Sequence, residues 1–514
     1  MWGRIEDEYF FVLFSFVAMG AVAIFEWEML FPDRLDFLIL TPLPLPSLQM
    51  LVAKAVALAG FLVLFLVGAN LFGMLVLPGV TAHSHRQALA TFRGTGVDWT
   101  YLSPGSTLQA FWHQAVAHAA AVLLAGLFAT LCIIALGGVL LCVLDAARFR
   151  IVSPLVQILA MMALVLLLVQ YAKYGDDMQA LLTGPLGKAR WMPPVWFLGI
   201  YELMLRGSHA PPFAHRMVRY AVRGTASAAG VALLTYPLAW ARMRRMAMEG
   251  VVRPRRRPTR WLARLQHAVI RRPGERAAFH FIGQTMARNN RYEVYLAMYT
   301  GTGLALALAC AVGFRVDAGS FHPMLSTKGL HATMPLLVFW VVVGLRIAFA
   351  FPLNLAASWI FRVTGVSLRE CAAGARKWAL FAALCTEAVV LAILRVAGWS
   401  ARPMMVQAVC GLCLCVLLTD GLFFSQQTVP FSQPRMPGRV SFPLVLTLWA
   451  MLPVFLYGVV DAELHFEQRP LKLVLLMLAT AAAHLGCNLL HTGPEEVPEQ
   501  MEGYEGEFQL LGLS

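Results

Sequence analysis

Long apolar runs cut by short polar breaks fill the chain, and no stretch remains that could build a separate soluble domain. Hydrophobic residues make up 59% of the 514 and charged residues only 13%. A soluble domain needs roughly 25% charge to clothe its surface. Lipid is therefore the main solvent of this chain. A hydrocarbon core asks for about 20 apolar residues per helix, and a helix satisfies its own backbone hydrogen bonds where water is absent. A membrane barrel would alternate in polarity, and the run from Leu155 to Val169 does not. The fold class predicted is all-α, a polytopic transmembrane helical bundle of about eleven spans: 9–27, 50–78, 116–144, 151–172, 218–241, 292–314, 333–351, 377–398, 403–424, 440–460 and 470–491. The first run has no basic n-region and no small-residue cleavage site, so it reads as a retained span. The apolar segment Trp191 to Leu205 is short and bracketed by prolines, which suits an interfacial or re-entrant helix.

The net charge of +13 is concentrated, because twelve of the 41 basic residues lie between Arg242 and Arg276. Basic loops beside spans mark the cytoplasmic side. Nucleic-acid binding is not implied. Counting from this loop puts the N-terminus outside and the C-terminus inside. It also divides the chain into a first transmembrane unit (1–241), a basic cytoplasmic linker (242–291), a second transmembrane unit (292–491) and an acidic tail (492–514) whose six glutamates meet no basic residue.

Each half carries a similar link. Phe31, Pro32, Asp33 and Arg34 lead through an amphipathic stretch to Pro42, Pro44, Pro46 and then Lys54. Phe351, Pro352, Leu353 and Asn354 lead through another to Ser367, Leu368 and Lys377. Two such links fit either a duplicated membrane domain, a common plan in transporters, or two unrelated amphipathic linkers.

Four segments, "FPDRLDFLILTPLPLP" (Phe31 to Pro46), "MPPVWFLGIYE" (Met192 to Glu202), "GLRIAFAFPLNLAASWIFRVT" (Gly344 to Thr364) and "VPFSQPRMPG" (Val429 to Gly438), resemble type-2 ABC (ATP-binding-cassette) exporter permeases, in particular a large bacterial subgroup with two membrane units. The resemblance covers most of the chain. It implies a permease of the bacterial inner membrane, a separate ABC ATPase subunit as partner, lipids around it, and no cofactor. In that family the link forms a short helix docking on the ATPase. This implies coupling roles for Asp33, Arg34, Asp36, Asn354, Arg362 and Arg369. The first half departs from the family by lacking an N-terminal interfacial helix and one span, through truncation, a late start or divergence. The second half lacks the short Pro-bracketed segment before its last span. Cargo, direction, and whether one chain or a dimer forms the transporter stay open.

No G-x-x-x-x-G-K-[ST] phosphate loop occurs, so ATP hydrolysis is not expected of this chain. Cys410, Cys413 and Cys415 sit in an apolar run without a nearby histidine and read as packing residues, with no metal site expected. His113 with His118, and His484 with His491, fit helix–helix hydrogen bonding better than haem ligation. Ionisable residues inside spans are costly and are functional candidates. Glu387 is the clearest, either in the transport pathway or bonded to a neighbouring helix. Arg346 and Asp420 lie nearer span ends. An alternative function, a membrane-embedded enzyme acting on lipid-linked substrates, would draw on Asp176, Asp177, Glu202, His209 and His215. A non-transporting scaffold is the third reading.

Overall fold

The computed structural model describes residues 2–27, 30, 44, 46–92, 107–174, 191–249, 270–288, 290–317, 320–350, 360–361, 363–425, 429–432, 442–469 and 471–490. Among them the chain is almost entirely helical, as lipid solvation demands. Nine helices among the described residues are long and apolar enough to cross a membrane. The protein is thus a polytopic helical protein. Backbone contacts divide it into two units: residues 1–260 with 284–333, and residues 261–283 with 334–514.

The first unit begins with α1 (Trp2–Phe25), α2 (Ser47–Phe92), α3 (Thr107–Val143) and α4 (Ala146–Tyr174). There follow a short α5 (Pro193–Arg206), α6 (Pro212–Glu249) and, after the basic region, α8 (Asn290–Ala311). Their core is aromatic and small at once: Tyr9, Phe16, Phe128, Phe197 and Tyr201 interleave with Ala117, Ala121 and Ala125. Small residues let helix backbones approach where no water drives association. A β-carbon at Gly301 would stand 2.6 Å from the Ile158 carbonyl, so α8 and α4 meet backbone to backbone there. Ser15 donates to the Val122 carbonyl at 2.6 Å and ties α1 to α3.

The Pro-bracketed segment is α5. Pro193 and Pro194 start it, Gly207 at φ +53° ends it, and its amide caps Leu203. Its 14 residues rise ~21 Å, short of the ~30 Å hydrocarbon layer. Glu202 and Arg206 form an ion pair at 2.9 Å with both side chains inside the protein.

Two features depart from the sequence-based expectation. A β-hairpin, β1 (Val312–Asp317) with β2 (Ser320–Leu325), interrupts the helices, in the register Val312↔Leu325 to Asp317↔Ser320. Its signal was readable as Val312, Phe314 and Val316 alternating before an Asp-Ala-Gly turn. The segments matching spans 218–241 and 440–460 are helical, yet neither is among the nine apolar helices, the first of them being α6. Thr225, Ser227, Thr235, Tyr236 and Pro237 dilute its hydropathy.

The second unit contains α7 (Pro273–Arg288, through Gly283), α9 (Thr327–Ala348, from Met334), α10 (Leu368–Val396), α11 (Ala401–Phe423), α12 (Phe442–Gln468) and α13 (Leu471–Leu490). Part of the basic region is thus an ordered helix. Ser367 caps α10, its hydroxyl accepting from the Glu370 amide at 3.2 Å. Glu370 three places on completes a capping-box sequence. Gly398 at φ +87° stops the same helix, with the Trp399 amide bonded to the Leu394 carbonyl. α10 and α11 pack together, and α11 packs against α13.

Candidate functional site

The second unit gathers three polar or strained features along α10. The lowest is the mouth of that helix. Gly374 faces α7 so closely that a β-carbon there would lie 2.6 Å from the Glu275 carbonyl and 2.8 Å from the Ala278 methyl. One residue-pair further, the Lys377 ammonium is bonded and ion-paired to the Glu275 carboxylate. Cys371, Ala278, Phe361 and Val429 fill the space behind, with Phe281 against them.

Here two segments about eighty residues apart in sequence meet. The Phe431 amide donates to the Phe349 carbonyl at 2.9 Å, and their rings pack edge to face with centroids 5.4 Å apart. Phe281 contacts both Phe361 and Phe431 edge-on. Phe431 is fully buried and holds φ +64°, the only positive φ outside glycine among the described residues. It stands third in the turn Val429-Pro430-Phe431-Ser432, a place that normally takes glycine. A bulky residue in that conformation costs roughly 1–3 kcal/mol and persists where surroundings fix it. The Ser432 hydroxyl donates to the Val429 carbonyl at 2.9 Å and closes the turn.

Above the mouth lies a closed polar ring joining three helices. Asp420 of α11 accepts from or pairs with His484 Nδ1 of α13 at 2.6 Å. The Asn488 amide nitrogen lies 3.0 Å from His484 Nε2. Arg376 of α10 donates to the Asn488 oxygen at 2.6 Å, and its other terminal nitrogen pairs with Asp420 at 3.6 Å. Arg376 stands eight residues into α10, so the ring is ~12 Å from that helix end.

The third feature is Glu387, about three turns further along α10. It is buried, and Cys415 donates its thiol to Oε2 at 3.6 Å. A β-carbon at Gly411 would sit 2.7 Å from Glu387 Oε1, so that glycine makes room for the carboxyl. The Met334 methyl of α9 packs beside it. Cys415 bonds Glu387 to the neighbouring helix α11.

The other candidates fall as follows. Asp33, Arg34, Asp36, Asn354 and Arg362 lie outside the described residues, as do Asp176 and Asp177. Arg369 lies in the first turn of α10, half-buried, beside the mouth. Glu202 is ion-paired to Arg206, while His209 and His215 are exposed. Arg346 donates to the Leu422 carbonyl at 3.0 Å and caps the end of α11. His118 is buried edge-on against Phe11 and Tyr201. Cys410, Cys413 and Cys415 are buried thiols without disulfides. Among the described residues no group of three His, Cys, Asp or Glu side chains could hold a metal ion.

Sequence reasoning missed Arg376, Glu275 and Phe431. The His484 and Asn488 spacing of four marked one helix face, but nothing in it named the partners on α10 and α11. No protein-family model matches the chain, and neither a curated protein nor a solved structure is significantly similar to it.

Proposed function

We propose that this chain is the membrane-spanning subunit of an ABC-type exporter of the bacterial inner membrane, coupled to a separate ATPase. The observation that supports this most is the seat at the mouth of α10. Two of the four segments that carry the family resemblance, around Phe349 and around Phe431, are bonded there to each other. The α7 helix buttresses them through Glu275 and Lys377. A seat of this kind converts a push at the link between α9 and α10 into movement of α10 as a rigid rod. The strained turn at Phe431 fits a position selected for shape over local stability.

In this mechanism the links 31–46 and 351–367 receive the ATPase, with Asp33, Arg34, Asp36, Asn354, Arg362 and Arg369 as docking contacts. Their role is mechanical, and the bond-breaking chemistry belongs to the partner. Cargo moves across the bundle, or enters it from the lipid, when the partner closes. Glu387 lies on α10, the helix that the seat would drive.

The test is co-purification from native membranes. The double variant Asp33→Ala/Arg34→Ala keeps expression and membrane insertion but loses its ATPase. Arg369→Glu, in the first turn of α10, weakens the same recovery. Wild-type yield of the ATPase with both variants refutes docking at these links.

A further inference from the structure

The exposed face of α6 carries Arg216, Arg219 and Arg223, three and four residues apart and so in one stripe over two turns. Like charges at these spacings repel one another on a helix. No described residue bonds to or pairs with any of the three. Of the carboxylates in the same unit, Glu202 is paired with Arg206 inside the protein. Glu6 lies by Tyr171 of α4, whose hydroxyl donates to the Glu6 carbonyl at 3.1 Å. The stripe is thus a concentrated positive charge that the described part of the chain does not itself balance.

The depth of the stripe follows from the helix beside it. A β-carbon at Gly224 would meet the Phe128 ring at 3.4 Å, Gly138 approaches the Thr235 side chain, and Arg242 donates to the Cys142 carbonyl at 2.5 Å. Residues 224, 235 and 242 therefore follow 128, 138 and 142, and α6 runs parallel to α3, one of the nine apolar helices. Residues 224–241 of α6 carry no charge and rise ~27 Å, close to the ~30 Å hydrocarbon layer. Arg242 and Arg245 close one end of that stretch, and the three-arginine stripe closes the other. Tyr220, between Arg219 and Arg223 in the chain, packs against Trp196 of α5 with ring centroids 6.1 Å apart. Tyrosine and tryptophan settle at headgroup level. The stripe stands at the edge of the hydrocarbon layer, where lipid phosphates are.

Further along the same face the helix turns small and then apolar. The Ser227 hydroxyl folds back onto the Gly224 carbonyl at 2.8 Å, and nothing lies within 4 Å of a β-carbon at Gly230. Leu234 and Leu238 follow, 71% and 61% exposed. From Arg223 to Leu234 the helix rises ~17 Å, about the depth of one leaflet. A guanidinium fork matches two phosphate oxygens. We propose that this face of α6 is a binding site for a phospholipid of net negative charge, its phosphate held by Arg219 and Arg223 and its acyl chains laid along Gly230, Leu234 and Leu238. A second copy of the chain is a poorer occupant. A two-fold pair sets the same patch against itself, and in one membrane the two arginine stripes would then meet at the same depth. The site goes beyond the export reading and holds whatever the chain transports.

The experiment places the full chain in nanodiscs of neutral lipid with a trace of photoreactive phosphatidylglycerol or phosphatidylcholine, both bearing the same diazirine acyl chain. Trypsin cuts after Arg223 and Arg242 and releases 224–242 as one peptide, so the label on this face is read apart from label elsewhere. Phosphatidylglycerol should label that peptide about tenfold more than phosphatidylcholine, the worth of one charge-assisted hydrogen bond. Arg219→Gln/Arg223→Gln should bring the two lipids level on the corresponding peptide, 217–242. Equal labelling by both lipids in the wild type overturns the site, and so does a preference that survives in the variant. A wild-type peptide that neither lipid labels is covered by protein, and a preference abolished by millimolar inorganic phosphate belongs to a free anion; either result also overturns it. If the glutamine variant fails to fold, Gly230→Trp fills the space beside the helix and should abolish the preference alone, and a preference it leaves unchanged overturns the site.

Discussion

Replacing Gly374 by alanine asks whether α7 truly seats on α10, because one methyl group is placed where the structure leaves no room. Its β-carbon would lie 2.6 Å from the Glu275 carbonyl oxygen, 2.8 Å from the Ala278 β-carbon and 3.3 Å from the Phe279 amide nitrogen. Two of these are backbone atoms of a helix, which cannot swing aside as a side-chain tip can. Ordinary contact is near 3.5 Å, so the helices must part by roughly 1 Å. A gap of that size forfeits a quarter to a half of the attraction between facing atoms. The residues that lose it are Ala278, Cys371 and Ala375, at 1%, 0% and 0% exposure. Overpacking of this type costs about 1–3 kcal/mol. Alanine returns about 0.5–1 kcal/mol as the better helix former. The net is a loss of about 1–2 kcal/mol, or a fall in melting temperature of about 2–8 °C for a unit of this size. Gly486→Ala on α13 is the control, since nothing lies within 4 Å of its β-carbon position. Its melting temperature should be unchanged or slightly raised. Fluorescence-monitored melting of the detergent-solubilised protein measures both. If Gly374→Ala melts with the wild type, α7 does not occupy this seat.

Two further outcomes are expected. Cysteine placed at position 256 should react with an impermeant reagent only after the membrane is opened, if the arginine-rich segment around it follows the rule that basic loops beside spans face the cytoplasm; labelling in intact cells refutes the orientation. Glu202→Ala should cost about 3–5 kcal/mol by leaving the buried Arg206 without its partner, and Glu202→Ala/Arg206→Met should recover much of it; thermal melting checks both, and a single variant as stable as wild type shows that the pair lies in solvent.

What the sequence determined by itself follows from the solvent it was written for. A hydrocarbon layer fixes the length and composition of any crossing helix, so the runs around Val12, Leu62, Ala125, Leu164, Ala305, Val338, Ala383, Cys413 and Leu478 were legible as helices without any partner in view. Capping signals were equally local: Ser367 with Glu370 opens α10, and the Pro193–Pro194 pair opens α5. The tertiary structure alone decided which polar groups meet. Arg376 and Asn488 are separated by 112 residues, and Asp420 and His484 by 64. Each residue alone could snorkel, cap or bond elsewhere, and the choice depends on which helices lie side by side. Helix neighbours in lipid are set by close packing at small residues, and a glycine such as Gly374 or Gly411 looks in the sequence like any other. The helix Pro273–Arg288 was hidden for a related reason. Its charges mark the segment as a loop beside a membrane, while the apolar face of Ala278, Phe279 and Ile282 acquires meaning only against the helix it covers.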